Sequence, residues 1–225
     1  MKKISVLGID LKIYTMREIL NKTENYLKNG TLNVVMYINS SLLVKAEGNP
    51  LLKDYIEKAD ITLPGDAELM KKCGITSWNA MHDLEERNFL REMLSRSSHR
   101  DYPMVILAED EEELQKLHDD VIKMRSDIQV TAEYLLPEEE EEIITLINQI
   151  NDITPKIIII KGDYELIYKL IGEQQIQFIN AEVAIIMPKD MNISGKAEGF
   201  IKRMRHKLYR KMFIRKANRY DNENK

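Results

Sequence analysis

Two short polar segments directly follow apolar runs in the first third of the chain, and they carry the side chains best suited to chemistry. Asn39-Ser40-Ser41 comes after the run at residues 34–38, and Pro64-Gly65-Asp66 comes after residues 61–63. Amide and hydroxyl groups can hold a polar ligand, and a carboxylate can remove a proton from a hydroxyl within hydrogen-bond reach. In open α/β sheets such loops after strand ends hold ligands, so both segments are candidate site loops.

The same side chains have a structural alternative, because Asn, Ser and Asp are favoured at helix N-termini. Asn39 or Ser40 can cap the helix expected after the first loop, and Asp66 can cap a helix beginning at Ala67. Capping and ligand binding both remain open from the residues alone.

The rest of the chain alternates between strand and helix patterns, which predicts an α/β, Rossmann-like fold with a mostly parallel sheet covered by helices. Thr15 and Glu18 form a capping-box pattern, and Pro137 suits the first position of a helix. One helix is expected between the two polar loops. Further predicted strands cover residues 4–7, 11–13, 104–108, 128–134, 157–160 and 183–187, and predicted helices cover residues 16–27, 84–95, 111–124, 138–150, 164–172 and 200–219.

Length and composition limit the function classes. The 225 residues have one cysteine, Cys73, so no intramolecular disulfide and no spaced-cysteine zinc site is expected. The four histidines are not at ligand spacing, and the sequence has no dinucleotide-binding, P-loop, nucleophile-elbow or zinc-protease signature. We therefore predict neither a metal nor a cofactor. Without a signal peptide or a long apolar stretch, a cytoplasmic location is expected.

The C-terminal segment differs in charge from the rest, which predicts a main domain at residues 1–198 and an appendage at 199–225. The appendage has ten Lys and Arg against two Asp and Glu, whereas the overall net charge is −4. An apolar stripe at helical spacing runs through it, so it can bind an anionic membrane surface or pack on the acidic body. No nucleic-acid module accompanies it. The candidate membrane-binding residues are Arg203, Arg205, Lys207, Arg210 and Lys211.

The first two loops and the stretch between them resemble the WecG/TagA/CpsF glycosyltransferase family. The resemblance is weaker at the N-terminal Gly8-Ile9-Asp10 and at Lys207-Leu208-Tyr209-Arg210, which is similar to the family's W-L-Y-R. The strongest matches are Asn39, Ala46, Asn49-Pro50, Leu52-Lys53, Ala59-Asp60-Ile61 and Leu63-Pro64-Gly65-Asp66.

This resemblance implies transfer of a sugar, often N-acetylmannosamine, from its UDP form to a polyprenyl-diphosphate-linked acceptor. The reaction would serve surface-polysaccharide or teichoic acid synthesis at the inner face of the cell membrane. It implies that Asp66 is the general base that deprotonates the acceptor hydroxyl. Asn39, Ser40, Gly65 and Asp83 would bind substrate, and the basic residues of the appendage would also bind the acceptor. Self-association of the chain stays open.

The sequence also departs from the family pattern. Gly65-Asp66 reverses the family's usual Asp-Gly order. Trp78 occupies the arginine position of the family's R-x-T-G-x-D motif, of which only Asp83 is kept. The later Pro-Gln-Glu and glycine-rich motifs are replaced as well. A catalytically degenerate homologue that binds a partner glycosyltransferase is therefore the alternative function.

Overall fold

A six-stranded sheet, all of whose strand pairs are parallel, forms the centre of the protein, in the order β4-β3-β8-β7-β5-β6. The structure is a computed structural model that describes residues 1–191, residue 193 and residues 200–223, with side chains described for residues 207–222 of that last segment. The strands are β1 (Lys2–Val6), β2 (Ile9–Ile13), β3 (Asn33–Ile38), β4 (Ile61–Pro64), β5 (Met104–Ala108), β6 (Ala132–Leu135), β7 (Ile157–Gly162) and β8 (Val183–Pro188).

Helices cover both faces of the sheet, which confirms the predicted α/β Rossmann-like fold. Along β7, Ile158 and Ile160 pack into the core on one face, while Ile157 and Ile159 pack into the core on the other. All four are fully buried, as expected for an apolar run in a doubly covered parallel strand.

The helices agree with the predicted pattern in most places. They are α1 (Met16–Tyr26), α2 (Ser40–Ala46), α3 (Pro50–Lys58), α4 (Ala67–Lys72), α5 (Trp78–Glu85), α6 (Asn88–Arg100), α7 (Glu111–Met124), α8 (Glu140–Ile153), α9 (Tyr164–Ile167, continued by a π-helical turn at Tyr168–Gly172) and α10 (Phe200–Glu223). Thr15 caps α1 in the predicted capping box with Glu18.

Four local predictions are wrong. The helix expected at residues 84–95 is two helices, because Arg87 adopts a left-handed backbone conformation with φ 57° between α5 and α6. The single helix expected after the first loop is also two, since Asn49 caps a new helix with Pro50 in its first turn. Helix α8 begins at Glu140, so Pro137 precedes it. Strand β6 begins only at Ala132.

An antiparallel hairpin, β1–β2, lies beside the edge strand β4. Thr62 of β4 accepts a hydrogen bond from the Lys12 backbone N–H at 3.1 Å and donates one to the Lys12 carbonyl at 3.0 Å. These side-chain bonds partly satisfy an edge that would otherwise be open to another strand.

Helix α10 packs along α2 and buries one face against the body. Phe213 and Ala217 are almost fully buried, and the Tyr220 ring lies against Gly8. Ion pairs Arg210–Glu68, Lys216–Glu47 and Lys72–Asp221 join the helix to the body. The predicted boundary at residues 198/199 lies outside the described residues.

No helix in the described part of the chain is long and apolar enough to cross a membrane.

Candidate active site

The carboxyl ends of β4, β3, β8 and β7 open into a polar cleft with two adjoining cavities. The Asp66 cavity, of about 310 Å³, has Asn39, Asp66, Arg87 and Arg210 in its lining. The Lys45 cavity, of about 150 Å³, is lined by Lys45 and Lys189 among others. Asn39, Ser41, Pro188, Asp190 and Tyr209 line both cavities and thus form their common wall.

This position follows from the strand order. The connection from β3 leads outward to β4 at one edge of the sheet, and the connection from β5 leads outward to β6 at the other edge. Strands β8 and β7 lie between β3 and β5. Ligands of open α/β sheets bind outside the carboxyl ends of strands where the order reverses. The cleft lies outside the carboxyl ends of the strands on the β3 side of that reversal, where both candidate loops are found.

Asp66 ties the two candidate loops together. Its carboxylate caps α4 by accepting from the Leu69 backbone N–H at 2.9 Å. It also accepts from the Ser40 backbone N–H at 2.6 Å and from the Ser40 hydroxyl at 2.8 Å. The capping alternative is therefore present in the structure. These three hydrogen bonds leave one acceptor site of the carboxylate unused, because its two oxygens offer about four lone pairs.

Gly65 occupies a position with little room for a side chain. Its backbone N–H donates to the Ile38 carbonyl at 2.6 Å. A Cβ atom at this residue would lie 3.0 Å from the same oxygen. The family's usual carboxylate directly after the proline would therefore need the backbone to shift here, which gives a physical reason for the order Gly65-Asp66.

Asn39 is fixed by contacts to three neighbours. Its Oδ1 accepts from the Leu42 backbone N–H and from the Ser41 hydroxyl, both at 2.8 Å. Its Nδ2 donates to Asp190 Oδ1 at 2.9 Å. Asn39 both caps α2 and orients a second carboxylate on the common wall of the cleft.

Arg87 supplies a buried cation that the sequence reasoning missed. Its guanidinium donates to the Leu84 carbonyl at 2.5 Å and to the Gly65 carbonyl at 3.3 Å, and it lies 5.8 Å from the centre of the Tyr37 ring. Burial lowers its pKa, and its Nε has no hydrogen-bond partner among the described residues. Arg87 has a left-handed backbone conformation, which no sequence pattern predicts, and its side chain lines the cleft.

Trp78, the residue expected in the family's arginine position, does not line the cleft. It is 74% exposed and stacks on His82, with ring centres 4.8 Å apart. Arg87 lines the cleft instead. Tyr209 and Arg210 of α10 complete the lining, so the appendage contributes directly to the candidate site.

Asp83 lies outside the cleft. It accepts a hydrogen bond from Asn88 Nδ2 at 2.7 Å and lines two cavities beside α1. Lys207 and Lys211 are exposed on α10, whereas the side chains of Arg203 and Arg205 lie outside the described residues. The structure thus brings together Asn39, Ser40, Gly65, Asp66 and Arg210 of the expected set.

Fold and cleft together define an α/β protein with a polar, cation-bearing site at the carboxyl edge of a parallel sheet. Residues 4–161 match the profile of the glycosyl transferase WecG/TagA/CpsF family. Because this match covers more than half of the chain, the protein belongs to that family. No curated protein sequence matches the chain. Asp190, Tyr209 and Arg210 lie beyond the matched region.

Proposed function

We propose that the protein transfers an N-acetylmannosamine-like sugar from a UDP-sugar to a polyprenyl-diphosphate-linked acceptor in surface-polysaccharide or teichoic acid synthesis. The observation that carries this proposal is the Asp66 cavity, in which a carboxylate and the Asn39 loop meet Arg87 and Arg210. Both substrates contain a diphosphate, and guanidinium groups are well suited to bind phosphate oxygens. Family membership supports the reaction class.

Asp66 is the proposed general base for the acceptor hydroxyl. One of its oxygens, Oδ2, accepts a single described hydrogen bond, from the Ser40 N–H. A second lone pair on that oxygen is thus available for a substrate proton. Asn39, Ser40 and Gly65 are the proposed substrate-contacting residues around it. Asp83 has no part in this proposed site because it lies elsewhere.

Exposed residues of α10 support a role at the inner face of the cell membrane. Leu208 is 60% exposed and Met212 is 38% exposed, whereas Phe213 of the same helix is buried. Lys207 and Lys211 are exposed beside them. Apolar side chains among basic ones can enter the interface of an anionic bilayer. This arrangement would place the cleft near a lipid-linked acceptor.

Membrane binding is tested with point variants, because deleting α10 would uncover the surface that Phe213 and Ala217 bury. Sedimentation with anionic vesicles should fall for the Leu208→Ala/Met212→Ala double variant. A matched control is Ile176→Ala/Ile179→Ala, which removes two exposed isoleucines elsewhere. Equal sedimentation of both double variants and the wild type would count against docking through α10.

The alternative function is that of a degenerate homologue that binds a partner glycosyltransferase without turnover. The extensive structural use of Asp66, which caps α4 and holds Ser40, favours this alternative. Activity distinguishes the two. Release of UDP from a UDP-sugar in the presence of a lipid-linked acceptor, abolished in Asp66→Asn, supports the enzyme. Absence of turnover together with binding to a partner transferase supports the alternative.

A further inference from the structure

We propose that Lys45 and Lys189 form a second diphosphate-binding subsite, in the Lys45 cavity. The inference rests on the proposed function, which requires two diphosphate-bearing substrates to meet in one cleft. The Asp66 cavity contains Arg87 and Arg210 on one side of the common wall, and the Lys45 cavity contains two ammonium groups on the other. Each half of the cleft thus has two cationic side chains beside carboxylates, which are Asp66, Glu68 and Asp190 in the Asp66 cavity and Asp163 and Asp190 in the Lys45 cavity.

The two lysines come from elements that the fold brings together. Lys45 lies in the last turn of α2, the helix after the Asn39 loop, and Lys189 directly follows β8. Strand β8 lies between β3 and β7, so both side chains reach the same cavity at the carboxyl edge of the sheet. Lys45 lies within the residues that match the family profile, whereas Lys189 lies beyond them.

Both ammonium groups can bind an anion without losing their present partners. Lys45 Nζ lies 3.4 Å from Asp163 Oδ2, and both side chains are about half-exposed. Such solvated pairs contribute little stability, so the contact with Asp163 only weakly opposes a movement of the Lys45 side chain. Lys189 pairs with Glu109, whose hydrogen bond raises the pKa of Lys189 and keeps it charged. An ammonium group has three donors, so each lysine can contact phosphate oxygens and a carboxylate together.

The carboxylates of the cavity are engaged by the protein's own donors. Asp163 caps α9 by accepting from the Glu165 backbone N–H at 2.9 Å. Asp190 accepts from Asn39 Nδ2 at 2.9 Å and from the Ser41 hydroxyl at 3.3 Å. The dipoles of these donors weaken, without removing, the repulsion between the carboxylates and an incoming diphosphate. The Lys45 cavity therefore suits a diphosphate, whether it comes from the nucleotide sugar or from the lipid carrier.

The test is calorimetric titration of the full-length wild type and the Lys45→Gln/Lys189→Gln double variant. The probes are UDP, farnesyl diphosphate, inorganic pyrophosphate and uridine. Hydrogen bonds to charged groups are strong enough that the double variant should lose about tenfold or more in affinity for a diphosphate. Uridine binding should not change. Lys58→Gln is the matched control, because Lys58 is exposed, pairs with Asp54 and lines neither cavity.

Each outcome decides the matter. If the double variant loses affinity for UDP but not for farnesyl diphosphate, the subsite binds the diphosphate of the sugar donor. If it loses affinity for farnesyl diphosphate but not for UDP, the subsite binds the diphosphate of the lipid carrier. If the wild type binds pyrophosphate through the lysines but neither substrate analogue, the subsite stands and the proposed function fails. The subsite is overturned if the wild type binds none of the three diphosphates, if the double variant binds them as the wild type does, or if uridine affinity falls equally.

Discussion

Removing the Asp66 carboxylate should destabilise the protein far more than removing an ordinary helix cap. Asp66→Ala loses the cap of α4, which is worth about 1 kcal/mol. It also loses both bonds from Ser40, each worth about 1 kcal/mol. Ser40 is only 4% exposed, so its backbone N–H would be left without a partner in a buried place. The expected loss of unfolding free energy is about 3 kcal/mol.

Asp110 provides the matched control. It caps α7 through one bond, from the Glu113 backbone N–H at 2.8 Å, and is otherwise exposed. Asp110→Ala should therefore cost only about 1 kcal/mol. Asparagine caps helices as well as aspartate does, so Asp110→Asn should be nearly neutral. Asp66→Asn should still cost about 1 kcal/mol, because its amide would present a donor to the Ser40 N–H.

The assay is urea unfolding of the four variants and the wild type, followed by circular dichroism, with midpoints compared at a common slope. The expected order of stability loss is Asp66→Ala, then Asp66→Asn and Asp110→Ala, then Asp110→Asn. If Asp66→Ala costs no more than Asp110→Ala, the bonds from Ser40 contribute nothing, and the description of Asp66 as the link between the two loops is refuted.

Further expected outcomes concern α10, Gly65, Cys73 and Glu18. Phe213→Ala should lower the free energy of unfolding by about 3 kcal/mol because the ring is buried. Leu208→Ala, at an exposed position, should change it by less than about 0.5 kcal/mol. Equal effects of the two variants in urea unfolding would contradict the packing of α10. Gly65→Ala should cost about 1–3 kcal/mol, since its Cβ would crowd the Ile38 carbonyl, while Gly48→Ala, with open space around it, should be tolerated in the same assay. Burial raises the pKa of the Cys73 thiol to about 12, so a disulfide reagent at pH 8 should label it only after unfolding; fast labelling of the native protein would argue against its burial. A hydrogen bond from the N-terminal ammonium lowers the pKa of Glu18 from 4.5 to about 2. The stability that the Glu18 carboxylate provides should therefore be present above pH 4.5 and lost as the pH falls towards 2. Glu18→Gln should remove that part of the pH dependence of stability, and an unchanged dependence would contradict the assignment.

The sequence predicts the architecture and the two site loops well because both depend on local patterns. Apolar β-branched runs such as Ile157–Ile160 can be recognised without tertiary information. The polar residues after β3 and β4 follow from where such runs end. Asn39 and Asp66 accordingly both line the cleft, although the atoms proposed for chemistry also make structural hydrogen bonds.

The remaining cleft residues depend on tertiary structure. Arg87 reaches the cleft through a left-handed turn at a non-glycine residue, which propensity does not predict. Asp190 and Lys189 approach Asn39 only because β8 pairs with β3, a contact between residues about 150 positions apart. Tyr209 and Arg210 require the packing of α10. Asp83, four residues before Arg87 in the chain, was expected in the site but lies beside α1 instead.

The most direct test of the account is UDP release from UDP-N-acetylmannosamine by the purified full-length protein, with and without a polyprenyl-diphosphate-linked acceptor. The account predicts acceptor-dependent release that is abolished in folded Asp66→Asn and retained in Asp83→Asn, because only Asp66 lies in the cleft. Acceptor-dependent release that survives Asp66→Asn would contradict its assignment as the base. No release by the wild type with any UDP-sugar, in a protein that binds a partner transferase, would contradict the proposed activity itself.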